Sequence, residues 1–129
     1  MQNSIRFYVD ARDRIRERFA ALSMELQGDG DGSDDTSAAK RIVFYGAGEV
    51  AEVGYVCLQG TDLQLVGVID DQGRERFFDV PVYDPALLHA TDVDGKPFCR
   101  LVVMSFAETD KIGSQLESLA IRPERVFWI

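Results

Sequence analysis

Histidine is almost missing from this chain: His89 is the only one in 129 residues. Cysteine occurs twice, Cys57 and Cys99, far apart and without a C-x-x-C spacing. One imidazole and two scattered thiols do not make a zinc ligand set. The thiols read as buried and unpaired in a reducing compartment. No apolar run approaches the roughly 20 residues that span a bilayer. The opening MQNSIRFYVDARDR lacks the apolar core of a secretory signal. Together these absences lead to the expectation of a cytoplasmic chain that does not enter a membrane. Positive charge is scarce as well: 14 Lys and Arg stand against 22 Asp and Glu, for a formal net charge of −8. A surface this acidic repels phosphate backbones, so this chain alone is not expected to bind nucleic acid.

Signatures of catalysis are also lacking. Tyr8, Tyr45, Tyr55 and Tyr83 are followed four residues on by Arg12, Glu49, Gln59 and Leu87, so no Tyr-x-x-x-Lys pair exists. There is no P-loop lysine and no Ser-His-Asp set. Asp29, Asp31, Asp34 and Asp35 cluster, but not in the D-x-[DN]-x-[DN]-G order of a calcium loop. No catalytic residue and no metal ligand is therefore assigned. His89 follows a short helical pattern and reads as incidental.

What is present is patterned. Residues 1–26 read as one amphipathic helix: Ile15, Phe19, Leu22 and Leu26 form a single apolar stripe, which Tyr8 extends backwards. Such a helix must bury its stripe on the domain that follows, on a second copy of itself in a homodimer, or on something upstream. Residues 27–39, QGDGDGSDDTSAA, have no large apolar side chain and read as an acidic, flexible linker. From residue 40 to 129 strand and helix patterns alternate. RIVFY, LQLVGVID, VPVY, RLVVMSF and RVFWI read as strands. EVAEVGYVCLQ, DPALLHA and TDKIGSQLESL read as helices. The expectation is an α/β domain: a mostly parallel five-stranded sheet in the order 3-2-1-4-5, with helices on both faces. Pro81 cannot donate to a ladder, which puts VPVY at an edge. The segment DQGRERFFD is short for a helical crossover, so that helix is expected to be missing and the third strand to be irregular.

The stretch GAGEVA opens a helix directly after the first strand and fits G-x-G-x-x-G/A, with Gly46, Gly48 and Ala51 at the marked positions. Gly46 would make the tight turn, Gly48 would let backbone approach a pyrophosphate, and Ala51 would keep helix and strand close. The amides around Ala47, Glu49 and Val50 would hold an anion at the helix start. Asp70 ends the second strand about 20 residues further on, placed to accept hydrogen bonds from a ribose diol. That carboxylate favours NAD-like or ADP-like ligands over a 2′-phosphate; Arg74 works against this preference. Without a ligand, the same glycines would simply turn strand into helix. Ser105, at the end of the fourth strand, either caps the next helix with Glu108 or touches a phosphate or sugar together with Thr109.

VFYGAGEVAEVGYVCLQGTDLQLVGVIDD followed by FFDVPVYDPALL resembles small Rossmann-like domains found beside sugar-nucleotide dehydratases and acetyltransferases of bacterial polysaccharide synthesis. It is similar, too, to the ligand domains of winged-helix regulators, including redox-sensing repressors that bind NAD(H). The resemblance spans roughly Lys40 to Ile129. It implies ligand contacts at Gly46, Gly48, Asp70 and Asp71, and a cofactor that is NAD(H) or another adenine or uridine nucleotide. Asp79 stands where that group often has glycine. The implied function is a nucleotide- or sugar-nucleotide-binding regulatory domain, homo-oligomeric through the N-terminal helix. The alternative is an accessory domain of a sugar-nucleotide-modifying enzyme. A winged-helix regulator would need a recognition helix upstream; Met1 to Leu26 supplies a single helix.

Overall fold

The structure, a computed structural model, describes residues 3–28, 40–70, 76–89, 92–105 and 109–129. Five short apolar runs become parallel strands. β1 (Arg41–Tyr45) is central, β2 (Gln64–Ile69) lies on one side of it and β7 (Arg100–Val103) on the other. β4 (Val80–Tyr83) pairs with β2 and β8 (Val126–Trp128) with β7. All four pairings are parallel, as strands separated by crossovers require. The central strands alternate sides: Ile42 and Phe44 enter one core, Val43 the other, all fully buried. Both faces are therefore covered, which is why these runs are apolar throughout.

The sheet departs from the expected five strands. β3 (Arg76–Phe77) pairs antiparallel with β4, giving a mixed six-stranded sheet in the order β3-β4-β2-β1-β7-β8. The short connection after β2 is used for a hairpin, with Phe78 and Asp79 as its loop. Phe78 adopts φ +56, a left-handed conformation unusual for a bulky side chain. Tyr55 holds it there: the two rings stack at 4.3 Å, and the Tyr55 hydroxyl donates to Asp79 Oδ1 at 2.7 Å. Pro81 consequently lies one strand in from the edge. Its missing N–H does no damage, because pairing with β2 starts at Val82.

Two further expectations are corrected. DPALLHA forms only a single 3₁₀ turn, Pro85–Leu87, although Asp84 caps it by accepting from the Ala86 amide at 2.9 Å. After that turn comes a separate hairpin of β5 (Asp92–Val93) and β6 (Lys96–Pro97). Asp94 (φ +49) and Gly95 (φ +81) make its turn, a D-G signal left unread in the sequence. Of the proposed linker, Gln27 and Gly28 belong to the N-terminal helix; the rest lies outside the described residues, as does the acidic cluster within it.

Helix α1 (Asn3–Gly28) and helix α2 (Glu49–Leu58) cover one face; α3 (Thr109–Ser118) covers the other with the 3₁₀ turn and the small hairpin. The α1 stripe is buried within the chain. Ile15, Phe19 and Leu22 have no exposed surface, and Phe19 stacks on Phe44 of β1 at 6.2 Å between ring centres. Polar contacts fix the flanks. On one side, Arg18 donates to the Trp128 carbonyl at 2.8 and 3.1 Å, and Arg14 to that of Ile129 at 3.2 Å. Arg18 also lies over the Phe127 ring at 4.4 Å. On the other side, the Ser23 hydroxyl donates to Asp62 at 2.6 Å and Lys40 pairs with the same carboxylate. Hydrogen bonding from Lys40, then from Ser23, holds Asp62 below the usual carboxylate range.

Phe19→Ala removes a fully buried ring from the joint between α1 and the sheet. It should lower unfolding stability by about 3–5 kcal/mol, read from urea midpoints at constant m-value. A loss under about 1 kcal/mol would mean that the helix does not dock as described.

Candidate functional site

The chain turns sharply where β1 ends. Gly46 has φ +112, a conformation that L side chains rarely adopt, and its amide donates to the Ile69 carbonyl at 2.8 Å. That bond stitches the end of β1 to the end of β2, so Gly46 and Asp70 become neighbours. Asp70 is half-buried, and its own amide donates to the Tyr83 carbonyl at the end of β4 at 3.1 Å. Three strand ends thus meet on one rim.

In this rim is a hollow of about 110 Å³ lined by Tyr45, Gly46, Ile69, Asp70, Pro85 and Gln115. One wall is closed by the Tyr45 hydroxyl, which hydrogen-bonds Gln115 of α3 at 3.0 Å. Sites for whole drug-sized ligands occupy about 300–1,000 Å³. The hollow has room for about one chemical group and not for an entire ligand of that size.

Beside it α2 begins. Gly48 is the N-cap, with φ −88 and ψ −159, and no side chain caps the first turn. A Cβ on Gly48 would meet nothing within 4 Å. Glu49 is exposed and Val50 half-buried, and neither lines the hollow. Glu49 and Glu52 put two carboxylates in the first turn, where they complement the positive end of the helix and oppose an incoming anion. Ala51 is fully buried, in the close-packing position expected of it. Gly54, three residues on, also keeps α2 close to the sheet, since a Cβ there would overlap the end of Met104.

Of the sequence-predicted residues, Gly46 and Asp70 share the hollow. Ala47 is buried next to it, and Gly48, Glu49 and Val50 form the adjoining turn. Ser105 follows β7, half-buried, and is not among the described residues lining the hollow. Asp71, Arg74 and Glu108 lie outside the described residues. Tyr45, Pro85 and Gln115 were not singled out in advance. Tyr45 carried a signal, as the last strand residue before the glycine turn; Gln115 sits mid-helix and carried none.

Elsewhere reactive groups are muted. Burial pushes both the Cys57 and Cys99 thiols up, so neither is a thiolate nucleophile at neutral pH. Cys99 donates to the Arg41 carbonyl at 3.1 Å. The Asp79 hydrogen bond, then desolvation, raises the Tyr55 phenol. His89 is exposed. Among the described residues no group of three or more His, Cys, Asp or Glu is arranged to hold a metal ion, and no helix is long and apolar enough to cross a membrane. No protein-family model, curated protein or solved structure matches the chain.

Two outcomes test this geometry. Gly46→Ala should destabilise the fold by about 1–3 kcal/mol because of its positive φ, whereas Gly48→Ser, another residue suited to an N-cap, should change stability by less than about 0.5 kcal/mol. Equal effects in thermal unfolding would contradict the contrast drawn between the two glycines. Both thiols should react slowly with a thiol reagent at pH 7 in the native state and rapidly in denaturant; fast native labelling of Cys57 would show that it is not buried under α1.

Proposed function

We propose that this chain is a nucleotide- or sugar-nucleotide-binding regulatory domain of Rossmann-like type. It takes NAD(H) or another adenine or uridine nucleotide at the ends of β1, β2 and β4, without chemistry of its own. The observation carrying this reading is Gly48. Its backbone is ordinary and the space around it is open, so nothing inside the protein demands a glycine. Ser, Thr, Asp or Asn would cap α2 as well as glycine or slightly better, by a few tenths of a kcal/mol. A bare turn makes sense if something outside the chain approaches the backbone there, as a phosphate does at a helix start. Asp70, which lines the adjoining hollow with Gly46, is the group to accept hydrogen bonds from a sugar diol.

Regulation would run through α2. It starts at the turn and packs on α1, whose Phe19 rests on Phe44 of β1. A ligand changes that packing only if it binds two arrangements with unequal affinity. The chain would act as a homo-oligomer through α1, in the cytoplasm. The accessory-domain alternative is favoured by the small hollow, which suits one sugar better than both halves of a dinucleotide.

Titration with NAD(H), ADP and UDP-sugars, followed by melting temperature, decides. A ligand at 100 times its dissociation constant adds about 2.7 kcal/mol, a rise on the order of 10 °C for a domain this size. Asp70→Ala and Gly48→Val should both abolish the rise while the ligand-free chain still unfolds cooperatively. A response to UDP-sugars alone would favour the accessory-domain reading. No response to any of them would sink the nucleotide assignment.

A further inference from the structure

The apolar stripe of α1 is spent on its own sheet, so it cannot serve a dimer. A second stripe on the same helix can. Asp10, Asp13, Arg14, Glu17, Arg18 and Ala21 recur at helical spacing and line one shallow groove. All are exposed except Arg18, which is half-buried. This flank points away from α2, because Arg12 and Ser23 on the opposite flank make the contacts to Cys57 and Asp62. It points instead past β8, an edge strand of the sheet among the described residues, since Arg14 and Arg18 reach the carbonyls of Ile129 and Trp128.

The order of charges in this stripe is self-complementary. A two-fold axis crossing the helix between Ile15 and Arg16 sets two such helices antiparallel. It brings Asp13 opposite the partner's Arg18, and Arg14 opposite the partner's Glu17. By symmetry each pair occurs twice, making four ion pairs, while Asp10 meets the partner's Ala21, a small side chain. Like charges face each other nowhere in this register. An isologous contact needs this kind of patch, which matches itself after rotation.

The fold makes room for it. Glu25 pairs with Arg100 at the start of β7, while Arg14 and Arg18 reach the end of β8. So α1 crosses these strands in the opposite sense and lies over the β7–β8 side of the sheet, where Arg18 covers Phe127. Two sheets meeting at β8 edges would sit about 5 Å apart, strand to strand. Their α1 helices would then come within the 8–10 Å of packed helices. The half-exposed Phe127 and Trp128 flank that seam, and aromatic side chains of this kind anchor interfaces.

We infer that a second copy of this chain docks on the outer α1 stripe and the β8 edge, forming an antiparallel two-fold dimer held in register by Asp13–Arg18 and Arg14–Glu17 pairs. This deepens the oligomeric part of the reading above and is independent of its nucleotide part. Exposed ion pairs are individually weak and screened by salt, so the dimer should form at tens of micromolar and weaken steeply towards 1 M salt.

Sedimentation equilibrium of the nucleotide-free full chain gives the test. At about 100 µM and low salt, wild type should show an average mass well above the 14.4 kDa of the chain, rising towards twice that value with concentration. The double variant Asp13→Arg, Glu17→Arg alters only exposed side chains of the stripe and should be monomeric with an unchanged helical circular dichroism signal. If it misfolds, Glu17→Gln serves instead and should raise the dimer dissociation constant at least tenfold. A wild type that stays monomeric at this concentration overturns the inference. So does a dimer that survives the folded variants or is indifferent to salt, since either places the contact elsewhere. Failure of every nucleotide to bind would leave this result unaffected.

Discussion

The structure depends on one joint, the seating of α1 on the half of the sheet that α2 leaves open. The 10-residue α2 cannot cover six strands. Without α1, Phe44 and the neighbouring apolar residues on that face would meet water. Fully burying Ile15, Phe19 and Leu22 contributes about 1.5–3 kcal/mol each, before any ring contact is counted. That is a large share of the 5–15 kcal/mol that holds a typical domain together. The surrounding polar contacts are exposed or partly so and add little energy. Their value is orientation: Arg14 and Arg18 tie one flank of α1 to the end of β8, while Ser23, with Lys40, ties the other to Asp62. The helix is therefore part of the domain core rather than an appendage to it.

This joint explains why sequence reading left the destination of α1 open. Periodicity revealed that a stripe existed and which residues formed it: Ile15, Phe19, Leu22 and Leu26 are all buried. Periodicity carries no information about what covers a stripe. That depended on α2 leaving half a face bare, a matter of three-dimensional area and not of local pattern. The parallel strands were legible for the opposite reason. Runs such as RIVFY and RLVV are apolar at nearly every position, which only a sheet covered on both faces explains, and the order of those five strands follows as expected.

The misread parts lie where local chemistry overrode the alternating pattern. DQGRERFFD was legible as too short for a helical crossover but not as a source of an added strand, whose turn at Phe78 is left-handed, with Tyr55 stacked on its ring and bonded to Asp79. DPALLHA had a correct cap at Asp84, but the chain leaves the helix after one turn to enter the Asp94–Gly95 hairpin. A proline normally banished to an edge sits inside because the ladder begins just after it. At the candidate site the glycine turn and Asp70 were legible from spacing. The size of the hollow was not, since Gln115 and Pro85 enter it from elements far away in sequence.

The electrostatics of that rim narrow what the proposed ligand can be. Glu49 and Glu52 stand near the amides that would receive a phosphate. At about 6 Å in water-like dielectric, each carboxylate repels a unit negative charge by roughly 0.7 kcal/mol. A hydrogen bond from a backbone amide to a charged group contributes about 1.5–3 kcal/mol. Two or three such bonds outweigh the repulsion, so the acidic turn does not bar a phosphate group. It does remove much of the advantage a helix start offers to a bare anion, and the overall charge of −8 acts in the same direction. Inorganic phosphate should therefore bind poorly here. A ligand able to hold must add contacts that carry no negative charge, and the carboxylate of Asp70 specifies what those are: hydroxyl donors. A sugar in the hollow with its phosphate outside it, at the turn, would meet both demands.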